Sequence, residues 1–365
     1  YLARADDDNW IVATNLFGQP IWSYWNPYID RAFLTRPVKG GTFLLVISEV
    51  EDEPEYILRE IDLSGAIVRE TNVEIIRDQL ANFGVTDTPG SFHHEVLRLA
   101  NGHTLVFISL ERIVTDLQGS GDVNVYGEMV LDLDENFQVS WYWNSFDKLD
   151  VSQPAKLGET CIPGQGGCPV LLLGDVANDW LHMNSIGYSP ADGNIVLSAR
   201  HKDLVYKIDY RDGTGTGDVV WRLGEGGDFT LLDPGGDASP WFSHQHDAHY
   251  DDGEFIVYDN GNTRKSAAGE GEVVNSRGQA YILDEVNMVA LLKVNQNLDH
   301  YAPAVGSGQK LANGNYHWNS GFLGTVTEPY FIAVSTMPDG QPSWLEYGSG
   351  RTYRSFRMDS LYQEE

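Results

Sequence analysis

Positive charge, cysteine and long apolar runs are all scarce in this chain, and each shortage removes a class of function. Lysine and arginine number 24 against 53 aspartates and glutamates, a formal net charge of −29 over 365 residues. Nucleic acid and anionic membrane surfaces both require positive charge, so neither is an expected partner. An anionic substrate would be repelled by this field and would need local cations of its own. No run of about 18 apolar residues occurs, so no helix is predicted to span a bilayer. The only two cysteines lie in Cys161-Ile-Pro-Gly-Gln-Gly-Gly-Cys168. That gap is too long for the usual zinc-ligand pair, and no second pair follows. It closes easily into a small disulfide loop, as in an exported protein; two reduced cytosolic thiols are the alternative. The chain begins at Tyr1 rather than Met, as a processed or trimmed chain would. With no Asn-x-Ser/Thr sequon present, a bacterial export product is favoured over a fungal one. The expected location is secreted or periplasmic.

What the chain does have is a packed-core composition and a repeat. It is 42% hydrophobic and 12% aromatic, enough for a large globular core. A glycine followed by a short β-rich run recurs at Gly41, Gly102, Gly193, Gly253 and Gly314. The spacing is roughly sixty residues, apart from one interval near ninety, which reads as an insertion at about 147–178. Each run is followed by two more strand-like stretches with Asp/Gly turns, and only about Val73–Phe83 looks helical. Four strands per repeat is a propeller blade. The expectation is therefore an all-β, six-bladed β-propeller with four-stranded blades, one domain over 1–365. Its ring would be closed by a blade assembled from N- and C-terminal strands. A β-sandwich pair or a seventh, degenerate blade are the alternatives.

Histidine is rare too, ten residues, yet seven fall in four short segments: Ser91–Glu95, Asp179–Ser185, Ser198–His201 and His244–His249. In a blade, the start of the first strand and the end of the second lie at the same pole. Three consecutive blades would thus bring His94, His182, His201 and His246 to one mouth. Glu95, Glu111, Asp247, Asn184, Asn262, Arg112, Arg200 and Arg264 would join them. Arginine offers a planar fork of donors to an oxyanion, and imidazole can move a proton or accept a transferred group. No tightly bound transition metal is expected, because His244 and His246 share a strand face from which His249 points away unless a bulge intervenes. No cofactor is expected either; a structural Ca2+ is the one ion that the acidic stretch Asp6–Asp8, or the channel, would suit.

The run Asp179-Trp-Leu-His182-Met-Asn184-Ser185, then Ser198-Ala-Arg200-His201, Tyr206-Lys-Ile-Asp209, Trp221-Arg-Leu-Gly224, Gln245-His246-Asp247-Ala and Asp259-Asn260-Gly261 resembles the aryl-sulfate sulfotransferase family. These are cofactor-independent arylsulfotransferases of the bacterial periplasm, with secreted relatives in fungi. The resemblance is carried by about residues 175–265, with His93-His94-Glu95 upstream. It implies sulfuryl transfer from a phenolic sulfate ester to a phenol through a sulfohistidine. By motif, His182 and His246 would contact substrate, Arg264 would clamp the sulfate, and His317 would be the nucleophile. His94, Asn184, Arg200, His201, Asn262 and Trp180 would bind substrate, a small aromatic or sulfated molecule, in a monomer or homodimer. A divergent enzyme using the His/Arg channel for acid–base chemistry (lyase, isomerase or cyclase), or a non-catalytic binding propeller, is the alternative.

Overall fold

The computed structural model describes residues 2–6, 10–26, 32–34, 41–47, 56–164, 168–324, 330–348 and 350–362. Its described strands form six sheets in an all-β, propeller-like arrangement. Five sheets contain a meander of four consecutive strands. Their inner strands are, in chain order, Ala32–Leu34, Thr88–Arg98, Met183–Ser189, His246–Asp251 and Ser307–Lys310. The sixth sheet is composite: Thr352–Arg357 pairs antiparallel with Leu2–Asp6, which continues into Trp10–Thr14 and Pro20–Trp25. Each sheet packs against the next, and the composite sheet packs against both the fifth and the first. Both chain ends are thus drawn into one ring, which covers edges that would otherwise stay open.

Two sheets depart from four strands. Thr230–Leu232 adds to the fourth sheet in parallel. In the second sheet, Ala177–Asp179 runs parallel to Asp122–Leu133 and pairs antiparallel with Thr160–Cys161. This last pair is the insertion's own structure, closed by the Cys161–Cys168 disulfide with its Cα atoms 5.5 Å apart.

Second strands such as Thr104–Thr115 and Asn194–Ala199 are buried nearly end to end, because neighbouring sheets cover both faces. They therefore read as continuous apolar runs rather than alternating ones. Outer strands such as Pro342–Gly348 keep one face partly open and alternate. The predicted helix forms at Val73–Asn82, capped by the Asn72 side chain on Ile75 N–H, and buries Val73, Ile76 and Leu80. Carboxylates, buried except for the half-buried Glu285, tie neighbouring sheets together: Glu60 to Arg98, Asp132 to Tyr210, Glu285 to Lys207, and Glu254 to Lys310 and Tyr316.

Candidate active site

The inner strands of the second, third and fourth sheets carry the same irregularity. Their pairing register shifts between His93 and Val96, between Met183 and Ile186, and between His246 and His249. Such bulges bend a strand and re-aim side chains. Here they come with left-handed backbone at His94 (φ 55°), His182 (φ 50°) and Asp247 (φ 54°). Non-glycine residues adopt that region at a cost of about 1–2 kcal/mol, so surrounding contacts must hold it.

The imidazoles meet at these bulges. Ring centroids lie 4.9 Å apart for His94 and His182, 4.6 Å for His182 and His201, and 5.6 Å for His201 and His244. Nδ1 of His93 and Nδ1 of His94 are 2.8 Å apart. His182, His201 and His246 are each oriented by an oxygen at Nδ1. Asp179 Oδ2 is 2.7 Å from His182, the Asp179 carbonyl 2.7 Å from His201, and Asn260 Oδ1 2.7 Å from His246. Asn260 in turn donates to the carbonyls of Ala302 and Val305. An Nδ1 proton fixed in this way leaves the Nε2 lone pair for chemistry.

Two guanidinium groups accompany them. Arg200 Nη1 lies 2.5 Å from His201 Nε2, and its Nη2 donates to the Pro303 carbonyl, which also accepts from Asn262. Arg200 Nε is buried and has no partner among the described residues. Arg354, 1% exposed, reaches Glu95 at 2.7 Å, the Asn184 carbonyl at 2.7 Å and Asp247 at 3.6 Å. Burial, reinforced by these cations and by neighbouring imidazoles, holds His94, His201 and His246 well below the usual histidine pKa. His93 is lowered to about 3, again chiefly by burial. His244 goes the other way: burial would lower it, but its hydrogen bonds to Asp203 and Glu159 prevail and raise it.

His94, His182, His201, His246, Arg200 and Asn184 are thus brought together, as their repeat phase predicts. Other expected residues are placed elsewhere. His317 is fully buried between the fifth and composite sheets, with Ser335 Oγ 3.1 Å from Nδ1 and Ser355 Oγ 2.9 Å from Nε2. Both nitrogens are engaged away from the other imidazoles, because His317 lies within a second strand, not at the bulged start of a first one. Arg264 is turned onto Asp259 and the Asn275 carbonyl. Trp180 is 1% exposed, stacked on Phe146 with its indole N–H on the Gln153 carbonyl, so it packs rather than presenting a face. Glu111 anchors the insertion through the N–H groups of Leu172 and Leu173, and Arg112 pairs with Asp87. Asp179 and Arg354 contact this cluster without being among the residues expected there. Asp179 had a signal, since an acid three residues before a histidine can orient it, whereas Arg354 had none beyond its place in the closing strand.

Among the described residues, two groups have ligand atoms close enough to share a metal, within 4.8 Å: Asp179, His182 and His201, and Glu159, His201 and His244. The Arg200 guanidinium against His201 puts fixed positive charge where such an ion would sit, and so favours an anion. The side chains of Asp6–Asp8, the expected Ca2+ loop, lie outside the described residues.

Among solved structures the likenesses are distant. The dihydro-heme d1 dehydrogenase NirN matches at TM-score 0.38 and 9% identity, over 94% of this chain and 53% of that one, so this chain spans about half its length. A luciferin-regenerating enzyme matches at 0.43 and 11%, over 96% and 93%. Sqt1 of Saccharomyces cerevisiae matches at 0.36 and 9%, over 94% and 80%. No curated protein matches. The family model for arylsulfotransferase (ASST) matches residues 9–349, nearly the whole sequence, and the chain belongs to that family.

Proposed function

We propose that this transferase moves a sulfuryl group from a phenolic sulfate ester to a phenol through a histidine, and that His182, not His317, is the nucleophile. The observation that carries this is the Asp179–His182 contact of 2.7 Å, in which a buried carboxylate holds Nδ1 and leaves Nε2 to attack. In this reading the composite sheet is the sixth blade, and the imidazoles line the channel mouth.

In the first half-reaction the Nε2 electron pair forms an N–S bond as the S–O bond to the aryl group breaks. The aryl oxygen leaves with that electron pair and takes a proton from His246. In the second half-reaction the acceptor phenol oxygen attacks sulfur, the N–S bond breaks, and the phenol proton returns to His246. Burial and Arg200 keep the empty-site His246 neutral, so a bound sulfate ester supplies the negative charge that lets it hold this proton. The spare Nε–H of Arg200 suits an equatorial sulfonate oxygen, the role that motif order gave to Arg264. His94, Asn184 and Asn262 complete the polar surround. The loose transition state is mostly a positioning and electrostatic problem, as in phosphoryl transfer. The disulfide supports a secreted or periplasmic setting.

The test is release of nitrophenolate from 4-nitrophenyl sulfate in the presence of phenol. His182→Ala should abolish release and Arg200→Ala should slow it by about 10²–10³-fold, the typical effect of losing one such donor. His317→Ala should retain turnover. Full activity in His182→Ala would overturn the assignment.

A further inference from the structure

The His182 turn is left-handed and needs every neighbouring backbone group held. On the carbonyl side the holders are known: His201 N–H donates to the Leu181 carbonyl at 3.0 Å and Arg200 N–H to the His182 carbonyl at 3.4 Å. On the N–H side one side chain does the work. Glu128, in the Asp122–Leu133 strand of the second sheet, is 0% exposed, and its Oε1 accepts the Met183 N–H at 3.0 Å. The His182 N–H is directed to the same carboxyl. Its other oxygen, Oε2, is buried and has no partner among the described residues.

We propose that Glu128 is a positioning residue for the reaction: reaching across the sheet boundary, its carboxyl oxygen receives the Met183 backbone N–H, with the His182 N–H facing the same carboxyl, and fixes the turn that aims the His182 imidazole. This rests on the reading of His182 as the nucleophile. Glu128 is itself firmly placed. Its own N–H donates to Ser145 Oγ at 3.1 Å, and a Cβ at the preceding Gly127 would come within 2.9 Å of that oxygen and 3.0 Å of the Phe146 ring. The strand is thus clamped on the short helix Ser145–Lys148 and cannot slide away from residue 183. Burial, and next the neighbouring Asp179, push the Glu128 pKa well above the usual carboxylate range, so a neutral amide can stand in for it as an acceptor. What the site uses is therefore the reach of Glu128, not its acidity.

Two variants separate those properties, each made in the full chain. Glu128→Gln keeps the reach and an acceptor oxygen without an acid; Glu128→Asp keeps the acid but withdraws it by one methylene. The readouts are the imidazole 15N shifts of histidine-labelled protein, which report the His182 tautomer, together with kcat and KM on 4-nitrophenyl sulfate. Glu128→Gln should match the unsubstituted protein in tautomer and stay within about twofold in kcat. Glu128→Asp should lose the Nδ1-protonated tautomer and fall in kcat by about 10²-fold, the scale of a 1 Å misplacement, with little change in KM. An Asp variant with the native tautomer and kcat overturns the proposal, and so does a Gln variant as impaired as the Asp one. If the unsubstituted protein turns over no aryl sulfate, the functional reading fails, while the 15N arm still decides whether Glu128 orients His182.

Discussion

At the residue scale, the most consequential side chain outside the histidines is Arg354. One guanidinium on the composite sheet meets Glu95 of the second sheet, the Asn184 carbonyl of the third and Asp247 of the fourth. Arginine suits this because its rigid fork presents separate donors in different directions, which a lysine point charge does not. Removing one partner from a buried charged network leaves the others unpaired, typically at about 3–5 kcal/mol. Arg354→Met should therefore lower unfolding free energy by that order in urea denaturation, while Arg354→Lys should recover only part. A result within 0.5 kcal/mol, on the order of an ordinary surface substitution, would show that the network carries no stability. A second residue-scale constraint is Gly278, where a Cβ would lie 2.3 Å from the Trp318 ring. Gly278→Ala should cost about 1–3 kcal/mol through overpacking, read by the same denaturation.

At the scale of elements, the repeated glycine turns were legible because each joins two strands whose apolar content follows from burial between sheets. The helix at Val73–Asn82 was legible from its period and cap. The bulges were not: a register shift depends on which residue lies opposite, and a single strand's pattern does not record that. His94 and His182 could thus be assigned to one pole by repeat phase, while the left-handed turns that bring their rings together stayed hidden. His317 was assigned by motif order alone, and motif order does not distinguish a first strand from a second. The short pair Thr160–Cys161 and Ala177–Asp179 was also invisible, lying in a Gly/Pro-rich stretch with little β pattern. The disulfide on this pair closes an eight-residue loop, for which chain entropy suggests about 2.5 kcal/mol. Replacing Cys161 and Cys168 by serine should lower the unfolding free energy in urea denaturation by no more than that while leaving the far-ultraviolet circular dichroism of the six sheets intact. Because Glu159 sits on the same segment and pairs with His244, the double variant should also bring the raised His244 pKa back toward its ordinary value. Unchanged His244 titration by NMR would show that the segment is held without the disulfide.

At the scale of the whole molecule, the imidazoles set a pH limit on the fold. His93 and His317 are lowered to about 3 and His300 to about 4, in each case first by burial, and His94, His201 and His246 are lowered as well. Unfolded histidines bind protons below about 6.5, whereas these folded ones stay neutral until far lower pH. The unfolded state therefore holds more protons over that window, and stability must fall as pH falls. His244 has the opposite sign: its raised pKa adds stability below 6.5 that is lost as pH rises through the folded value. Carboxylates such as Asp203 and Glu159, lowered despite burial by hydrogen bonds from His244, add a further loss only below about pH 4. His244 and the buried Glu128, whose carboxyl is also raised, pull one way and six histidines the other, so the thermal midpoint should decline from about pH 6.5 toward pH 4, before most carboxylates titrate. His317 gives the cleanest check, because its partners Ser335 and Ser355 can hydrogen-bond an amide equally well. In His317→Gln the slope of unfolding free energy between pH 6 and 4 should be shallower by up to about 1.4 kcal/mol per pH unit, the contribution of one proton. An unaltered slope would mean that His317 is protonated in the folded protein and that its burial between two serines does not keep it neutral.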